Sequence, residues 1–243
     1  MDIILIGHGR MGQAVEEEAL LGGHHIVACF DTQQGKPFSR TAELPQADVC
    51  IEFTIAEEAY DNCLTALEAG YPVVSGTTGW NEGVKKLQAL SEQNGWSFFY
   101  APNYSIGVNL LYSLNRHLAS LLTHVNGYLP SIEERHHIFK KDAPSGTAIA
   151  LANDLIDIDP SYTNWAPAPP AIEDNHIIPI VSVREGQIPG YHGVTFTSQV
   201  DRITIEHEAF SRKGLAQGVL LAADYATKHK GALDMKQMLD ITE

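Results

Sequence analysis

A glycine-rich turn near the start of this chain limits its possible folds more than any other feature. An apolar run at residues 3–6 leads directly into Gly7-His8-Gly9-Arg10-Met11-Gly12, and apolar residues at helical spacing follow the turn. A second apolar run at 24–30 ends at Asp31. This order predicts a βαβ unit that binds a dinucleotide, because the glycines let a pyrophosphate approach the helix amino terminus. The alternative is a glycine turn in a βαβ unit without that ligand.

The acid at position 31 bears on which dinucleotide is bound. A carboxylate at this strand end accepts hydrogen bonds from ribose hydroxyls and repels a 2′-phosphate. No arginine is adjacent to Asp31, although Lys36 and Arg40 are close in sequence. We therefore predict an NAD(P)H cofactor, with NADH preferred over NADPH.

Strands and helices continue to alternate as far as residue 104. The periodicity predicts strands at 48–53, 72–75 and 96–100, a helix at 81–93, and an earlier helix opened by a capping box at Thr54-Ile55-Ala56-Glu57. Such alternation predicts a parallel sheet, in which ligands bind beyond the carboxyl ends of the strands. The loops at Gly76-Thr77-Thr78-Gly79 and around Asn103 follow two of these ends and are candidate walls for the nicotinamide. The alternative for each loop is a tight connection.

The second half of the chain has a different pattern. A long amphipathic helix begins near residue 105, and strand-like stretches follow at 128–136, 176–183, 194–198 and 202–208. We predict turns at 184–186 and 189–190 and a surface connection in the Pro-rich run 165–170. The expected protein is α/β, with a Rossmann-like domain at 1–104 that is completed by 213–243. An α+β domain with a mixed sheet is expected at 105–212.

Composition excludes several classes of protein. With 44% hydrophobic and 19% charged residues, the chain has the composition of a soluble globular protein. Its formal net charge of -14 argues against a nucleic-acid partner, which requires clustered Lys and Arg. No apolar run approaches the roughly 18 residues of a membrane span, and the amino terminus lacks a signal-peptide pattern. Cys29, Cys50 and Cys63 form no Cys-x-x-Cys pair, which predicts buried free thiols in a reducing cytoplasm.

The segment 134–147 indicates the chemistry. It gathers two histidines and three fixed cations, Arg135, Lys140 and Lys141, and then runs into Pro-Ser-Gly-Thr, which readily opens a helix. A proton donor, a cationic clamp and free backbone N–H groups that face one volume suit a small anion that must be bound and protonated. Because neighbouring side chains of a strand point to opposite faces, His136 and His137 cannot both address one substrate atom.

The residues after these histidines complete the predicted site. We expect Ser145 or Thr147 to cap the following helix, with the free N–H groups and the Thr147 hydroxyl forming a cradle for a carboxylate. Lys140 lies beyond the strand, where its loop can return the ammonium to the pocket. The alternatives are a solvated strand edge and a surface charge run. No metal site is expected, because spaced cysteine or carboxylate partners are lacking, and Ser145 lacks the elbow of a nucleophile.

These residues resemble one family closely, the 4-hydroxy-tetrahydrodipicolinate reductases, also called dihydrodipicolinate reductases. The run His-His-x-x-Lys-x-Asp-Ala-Pro-Ser-Gly-Thr at 136–147 is highly specific to this family, whereas the glycine fingerprint is not. The resemblance covers nearly the whole chain and includes Glu52-Phe53-Thr54, Gly76-Thr77-Thr78-Gly79, Ala101-Pro102-Asn103-Tyr104-Ser105 and Arg184-Glu185-Gly186. Two departures are Glu52, where aspartate is usual, and Ile138-Phe139, which replaces a pair that is often polar.

The resemblance implies NAD(P)H-dependent reduction of 4-hydroxy-tetrahydrodipicolinate, a small dicarboxylate of lysine and diaminopimelate biosynthesis. It implies His136 as the proton donor after hydride transfer and Lys140 as the cation that contacts a substrate carboxylate, with His137, Gly146 and Thr147 completing that site. It implies cofactor contacts for Gly7, Arg10, Met11, Gly12, Asp31, Gly76, Thr78 and Asn103. Arg212 resembles the family's hinge arginine, and such enzymes are commonly homotetramers joined through the sheet of the substrate-binding domain.

Two other functions are compatible with the sequence. The first is another nicotinamide oxidoreductase of the same architecture, such as an amino-acid dehydrogenase that acts on an imino acid. The second is a catalytically silent sensor that binds a dinucleotide. The retained histidine and lysine argue against a sensor, because a sensor has no need of a proton donor.

Overall fold

The computed structural model describes residues 1–39, 44–168, 174–211 and 213–241. The chain divides into two compact units, the first formed by Met1–Ile106 and Lys213–Thr242 and the second by Gly107–Arg212. Within the described ranges, no helix is both long and apolar enough to cross a membrane. Arg40 and Arg212, which were singled out from the sequence, lie outside the described residues, as do Pro169 and Pro170.

The first unit begins with strands that alternate with helices. In chain order, these elements are β1 (Asp2–Ile6), α1 (Arg10–Leu21), β2 (His25–Phe30), β3 (Val49–Glu52), α2 (Ala56–Glu68), β4 (Val73–Ser75), α3 (Asn81–Asn94) and β5 (Ser97–Tyr100). A short 3-10 turn at Thr32–Gln34 follows β2.

The second unit is a mixed sheet packed against helices. Its elements are α4 (Ile106–Leu122), β6 (Leu129–His136), α5 (Gly146–Ile158), β7 (Asn164–Ala168), β8 (Ile177–Arg184), β9 (Gly190–Thr197) and β10 (Arg202–Ala209). The strand order is β10-β9-β6-β8-β7, with β9 antiparallel to β10 and β6, while β8 is parallel to β6 and β7. Leu111 of α4 and Leu151 of α5 pack with Ile132 and Ile180 of the sheet in one hydrophobic core.

The chain then returns to the first unit through α6 (Lys213–Lys228), β11 (Gly231–Leu233) and α7 (Met235–Met238). The first sheet has the order β11-β5-β4-β3-β1-β2, and all its pairs are parallel. The predicted α/β fold, with a parallel Rossmann-like sheet and a mixed sheet, is confirmed.

Burial on both faces explains why β1 reads as an unbroken apolar run. Ile3 and Leu5 pack in the core that includes α1 and α6, whereas Ile4 and Ile6 pack in the core that includes α2 and α3. All four side chains are at most 1% exposed. Helices on both faces are expected of a parallel sheet, and they place Gly7 at the end of a rigid strand.

Three local predictions were wrong. Ile55, not Thr54, is the N-cap of α2, and Thr54 Oγ1 instead donates to Glu52 at 2.5 Å. Residues 164–168 form β7 rather than a connection, and Pro167 is tolerated there because an edge strand does not require every N–H to donate. Gly190 begins β9 instead of lying in a turn.

Candidate active site

The glycine turn forms one wall of a cleft in the first unit. The cleft has a volume of about 490 Å³, and residues that follow β1, β2 and β3 line it. These are the carboxyl ends of parallel strands, where ligands bind in sheets of this kind. The turn residues Gly7 and Gly9 contribute to the lining.

The packing of this turn fits a dinucleotide. Gly9 is the N-cap of α1, and among the described residues no side chain caps that helix, so its first N–H groups are available to an anion. Gly7 has a φ of +94°, and a Cβ there would lie 2.1 Å from the Phe53 carbonyl oxygen. A Cβ at Gly12 would lie 2.3 Å from the Gly7 carbonyl oxygen, whereas a Cβ at Gly9 would meet nothing within 4 Å. Packing therefore requires two of the glycines, and the third keeps the turn open.

Asp31 links the end of β2 to the glycine turn. Its Oδ2 accepts the His8 N–H at 2.7 Å, and its Oδ1 accepts the Gln33 N–H at 2.7 Å. Lys36 pairs with Asp31 through backbone bonds of 2.7 and 3.0 Å. The carboxylate therefore fixes the turn at the edge of the cleft.

The opposite side of the cleft is acidic. Glu57, Glu58 and Asp61, near the start of α2, line it together with Asp31. Of the described residues that line the cleft, none is Lys or Arg.

A buried carboxylate joins the loops after β3 and β4. Glu52, 0% exposed, accepts hydrogen bonds from the hydroxyls of Ser75 at 2.6 Å and Thr77 at 2.8 Å, and from the Thr54 N–H at 2.8 Å. Burial raises the pKa of Glu52, and these hydrogen bonds oppose the rise. A Cβ at Gly76 would lie 2.1 Å from a neighbouring phenylalanine ring. These contacts fix the backbone of the loop at 76–79.

The Asn103 loop lies at the same edge of this sheet. It follows β5, which neighbours β4, and Asn103 Oδ1 accepts the Ser105 N–H at 2.9 Å. Thr78 is exposed in the adjacent loop. The two loops predicted to contact the nicotinamide are therefore brought together.

The second unit presents a histidine at the carboxyl end of β6. His136 is 9% exposed, and its Nδ1 lies 2.5 Å from Oε2 of Glu134, which is 0% exposed. Arg184 of β8 donates to Glu134 Oε2 at 3.0 Å and to Oε1 at 2.7 Å. Burial alone would raise the pKa of Glu134, but hydrogen bonds from His136 and Arg184 lower it to about 2. An ionised carboxylate thus holds one ring nitrogen of His136, and Nε2 is directed away from it.

The start of α5 lies beside the same carboxylate. Ser145 is the N-cap, as predicted, because its hydroxyl accepts the Ala148 N–H at 3.2 Å. The Ser145 N–H donates to Glu134 Oε1 at 3.2 Å. Within the described ranges, the N–H groups of Gly146 and Thr147 have no protein acceptor. These donors lie at the positive end of the helix dipole and are suited to an anion.

Lys140 lies in the loop between β6 and α5. Its Nζ donates to Asp142 Oδ2 at 2.7 Å, and this bond lowers the pKa of Asp142. Its backbone N–H donates to the His137 carbonyl at 3.1 Å. Arg184 Nη2 donates to the Asp142 carbonyl at 2.7 Å. The loop that carries Lys140 is therefore held by the arginine that binds Glu134.

A second buried histidine lies beside the first. His192 of β9 is 5% exposed, and its ring centroid is 5.1 Å from that of His136. Burial, and then the charge of His136, lower the pKa of His192 to about 3. Its Nε2 lies 3.0 Å from Ser145 Oγ. Because Ser145 Oγ already accepts the Ala148 N–H, we infer that the hydroxyl donates its proton to the neutral His192 ring.

Comparison with known proteins assigns the chain to a family. The family described as "Dihydrodipicolinate reductase, N-terminus" matches residues 1–104, and "Dihydrodipicolinate reductase, C-terminus" matches residues 107–239. The chain belongs to the dihydrodipicolinate reductase family.

Individual relatives agree with this membership. The chain is 39% identical to the 4-hydroxy-tetrahydrodipicolinate reductase of Christiangramia forsetii over 98% of each chain. It is 37% identical to the enzyme of the same name from Methanopyrus kandleri, over 79% of this chain and 71% of the relative. The dipicolinate-bound dihydrodipicolinate reductase of Paenisporosarcina sp. TG-14 has a TM-score of 0.74 at 24% identity, over 98% of each chain. An engineered D-amino acid dehydrogenase bound to NADP+ has a TM-score of 0.54 at 12% identity, over 100% of this chain and 94% of the other, so it shares the fold alone.

The predicted cationic clamp wrongly included Arg135. Arg135 lies on the face of β6 opposite to His136, where it bonds to Glu133 and lies 5.1 Å from the Tyr191 ring centroid. The alternation of side chains along a strand, applied above to the two histidines, applies equally to this arginine. Arg135 is therefore not part of the site around His136.

Sequence reasoning missed three residues that contact the predicted site. Glu134 could have been found, because it lies two residues before His136 and therefore shares its face. Arg184 and His192 reach the site through strand pairing, which no local motif reveals. Among the described residues, no group of His, Cys, Asp and Glu side chains could hold a metal ion.

Proposed function

We propose that this protein reduces 4-hydroxy-tetrahydrodipicolinate to tetrahydrodipicolinate with NAD(P)H, in lysine and diaminopimelate biosynthesis. The 4-hydroxyl leaves as water, and the conjugated ring that results accepts the hydride and one proton. Membership of the dihydrodipicolinate reductase family supports this proposal, as does the shared name of the relatives. The observation that carries it is the arrangement of His136, whose Nδ1 is bound to a buried carboxylate beside the open N–H groups of α5.

The cofactor would be held by residues of the first unit. In this proposal the start of α1 binds the pyrophosphate, Asp31 binds the adenosine ribose, and the loops after β4 and β5 hold the nicotinamide end. The contact residues are Gly7, Arg10, Met11, Gly12, Asp31, Gly76, Thr78 and Asn103. When bound, the reduced nicotinamide supplies the hydride.

The substrate would be held by residues of the second unit. The N–H groups of Gly146 and Thr147 are suited to one carboxylate because they are adjacent donors at a helix start. Lys140 adds a positive charge, and exchanges its bond to Asp142 for one to the substrate. His137 completes the dicarboxylate site.

His136 would supply the proton. As the imidazolium, the ring keeps one proton at Nδ1 toward Glu134 and carries the other at Nε2. Negative charge builds on the substrate as it is reduced, and Nε2 then releases its proton to the substrate. General acid catalysis of this kind contributes about 10²–10⁴-fold. The Lys140 ammonium stabilises the same developing charge.

The acidic cleft supports a preference for NADH, which we also propose. A 2′-phosphate would add about -1.5 to -2 charges to the adenosine. That group would approach Asp31 and the acids of α2, with no described Lys or Arg in the lining to balance it. Adenosine that carries only ribose hydroxyls avoids this repulsion.

The decisive experiment is an assay coupled to the preceding enzyme of the pathway, which generates the substrate in the cuvette. We expect oxidation of both cofactors that depends on the substrate, with a higher kcat/KM for NADH. Oxidation only with imino acids would instead indicate an amino-acid dehydrogenase. Tight cofactor binding without turnover of any of these substrates would indicate a sensor.

We further propose that the protein is a homotetramer in the cytoplasm. β10 is an edge strand, and the outward-facing Thr204 and Glu206 are exposed, so another copy could add to this sheet. Cys29, Cys50 and Cys63 are free thiols, which fits a reducing compartment. Light scattering coupled to size-exclusion chromatography tests the assembly, and a monomer at micromolar concentration would refute it.

A further inference from the structure

Glu134 and Arg184 form an ion pair beside His136. We propose that both are positioning residues for the proton transfer: Glu134 keeps a proton on His136 Nδ1 so that Nε2 faces the substrate, and Arg184 keeps Glu134 from retaining the imidazolium too strongly. This inference rests on the proposed function. Both residues lie in segments that resemble the family, but the resemblance assigned a role to neither of them.

The hydrogen bonds of Glu134 account for the first part. An ionised carboxylate has about four acceptor positions. Oε2 accepts from His136 Nδ1 and from Arg184, and Oε1 accepts from Arg184 and from the Ser145 N–H. Because an ionised carboxylate can only accept hydrogen bonds, Nδ1 must be the donor in its contact with Oε2. The tautomer of neutral His136 is therefore the one with hydrogen on Nδ1, and the exchangeable proton is at Nε2.

The balance of charge accounts for the second part. The titratable or charged side chains around the two histidines are Glu134, Arg184, Lys140, Asp142, His192 and His207. Glu134 is paired with Arg184, and Asp142 is paired with Lys140. His192 is uncharged, because burial and the charge of His136 lower its pKa to about 3. The imidazolium thus faces a carboxylate whose charge is already offset by Arg184. The carboxylate therefore orients the imidazolium and still allows it to release its proton.

Space near Nε2 agrees with this assignment. A Cβ at Gly190 of β9 would lie 3.3 Å from His136 Nε2 and 3.6 Å from Cδ2. Glycine at this position leaves room beside the nitrogen that must meet the substrate. The opposite ring nitrogen is enclosed by the carboxylate.

The first experiment needs no variant and no turnover. Histidine labelled with ¹⁵N in the full-length wild-type protein reports which ring nitrogen carries hydrogen, and the signal of His136 is assigned by its loss in His136→Gln. We expect the Nδ1–H tautomer when the ring is neutral. A neutral ring protonated at Nε2 overturns the inference, whether or not the protein reduces the proposed substrate.

The second experiment compares the pH dependence of kcat in two variants. Glu134→Gln removes an anion beside the imidazolium, so the alkaline limb should move to lower pH by about one unit or more. Arg184→Met removes a cation from the same group, so the limb should move to higher pH. We expect kcat to fall in each variant by less than the about 10²–10⁴-fold that loss of the general acid itself would cost, with a smaller change in KM. Opposite shifts distinguish positioning from a general loss of structure.

The control is Glu133→Gln, which alters the neighbouring carboxylate on the other face of β6, where it pairs with Arg135. This variant should keep the wild-type profile. Thermal melting checks that each variant is folded. If a variant is not folded, the tautomer of His136 in the wild-type protein still tests the proposed orientation of the ring. Unchanged limbs in folded variants would refute the positioning roles and leave the reductase activity intact. A wild-type protein without turnover would refute the proposed function, and the tautomer would still test the geometry.

Discussion

Substitution of Gly190 by alanine tests the active face of His136 with a single methyl group. The added Cβ would lie 3.3 Å from Nε2, which is inside ordinary van der Waals contact, so the ring must move by a few tenths of an ångström. In the proposed mechanism, the methyl group would also reduce the space beside Nε2, where the substrate must meet the ring. We expect Gly190→Ala to impair proton transfer without disturbing the cofactor cleft of the first unit.

The magnitude follows from two limits. A misplacement of about 1 Å can cost about 10²-fold in rate, and the complete loss of a general acid costs about 10²–10⁴-fold. In Gly190→Ala the His136 ring should move by less than about 1 Å, and the methyl group should partly block Nε2. We therefore expect kcat to fall about 10–100-fold, which corresponds to about 1.4–2.7 kcal/mol of transition-state stabilisation. The Kd for NADH should change little.

The assay is steady-state oxidation of NADH with the substrate generated in place, alongside fluorescence titration of NADH. Gly193→Ala in the same strand is the matched control, since the atoms nearest to its Cβ would be those at the end of the Tyr191 side chain, with the hydroxyl at 2.7 Å. A wild-type kcat in folded Gly190→Ala would show that Nε2 does not meet the substrate on this side.

Three further outcomes are expected. His136→Gln should lower kcat about 10²–10⁴-fold with a modest change in KM, whereas Lys140→Ala should impair both; wild-type kinetics in both variants would rule out these roles. Asp31→Asn should raise the ratio of kcat/KM for NADPH to that for NADH by about tenfold, the equivalent of about 1.4 kcal/mol, and an unchanged ratio would place the specificity elsewhere. The folded-state pKa of Glu134 is about 2, whereas its ordinary value is 4.5. The ionised carboxylate therefore adds about 3 kcal/mol to the free energy of unfolding above pH 4.5, and this contribution is lost as the pH falls toward 2. Urea unfolding of wild type and Glu134→Gln from pH 7 to 3 checks this, and a stability gap that does not narrow on acidification would contradict it.

The sequence predicted the elements whose cause is local. β1 and β3 are short apolar runs buried on both faces, and the glycine turn follows β1 with little freedom in its geometry. Ser145 was one of two predicted caps because hydroxyl residues before a helix accept its free N–H groups. The periodicity of side chains placed His136 at the end of a strand. These features depend on neighbours within a few residues.

Features that depend on distant partners were not predictable. Arg184 lies 50 residues after Glu134 along the chain, and only the pairing of β6 with β8 brings them together. β7 was read as a connection because its prolines suit loops, and its place at a sheet edge is a tertiary property. Thr54 had the spacing of a cap, but the buried Glu52 competes for its hydroxyl.

Ser145 has a consequence for substrate selection. Its N–H is bound to the carboxylate that holds His136, while its hydroxyl caps the helix whose next N–H groups are open. Ser145 therefore connects the carboxylate that orients His136 to the start of α5. If these groups act as proposed, this shared residue sets the distance between the bound carboxylate and the protonated atom. We then expect a diacid with one methylene more or less between these groups to be reduced about 10–200-fold less efficiently.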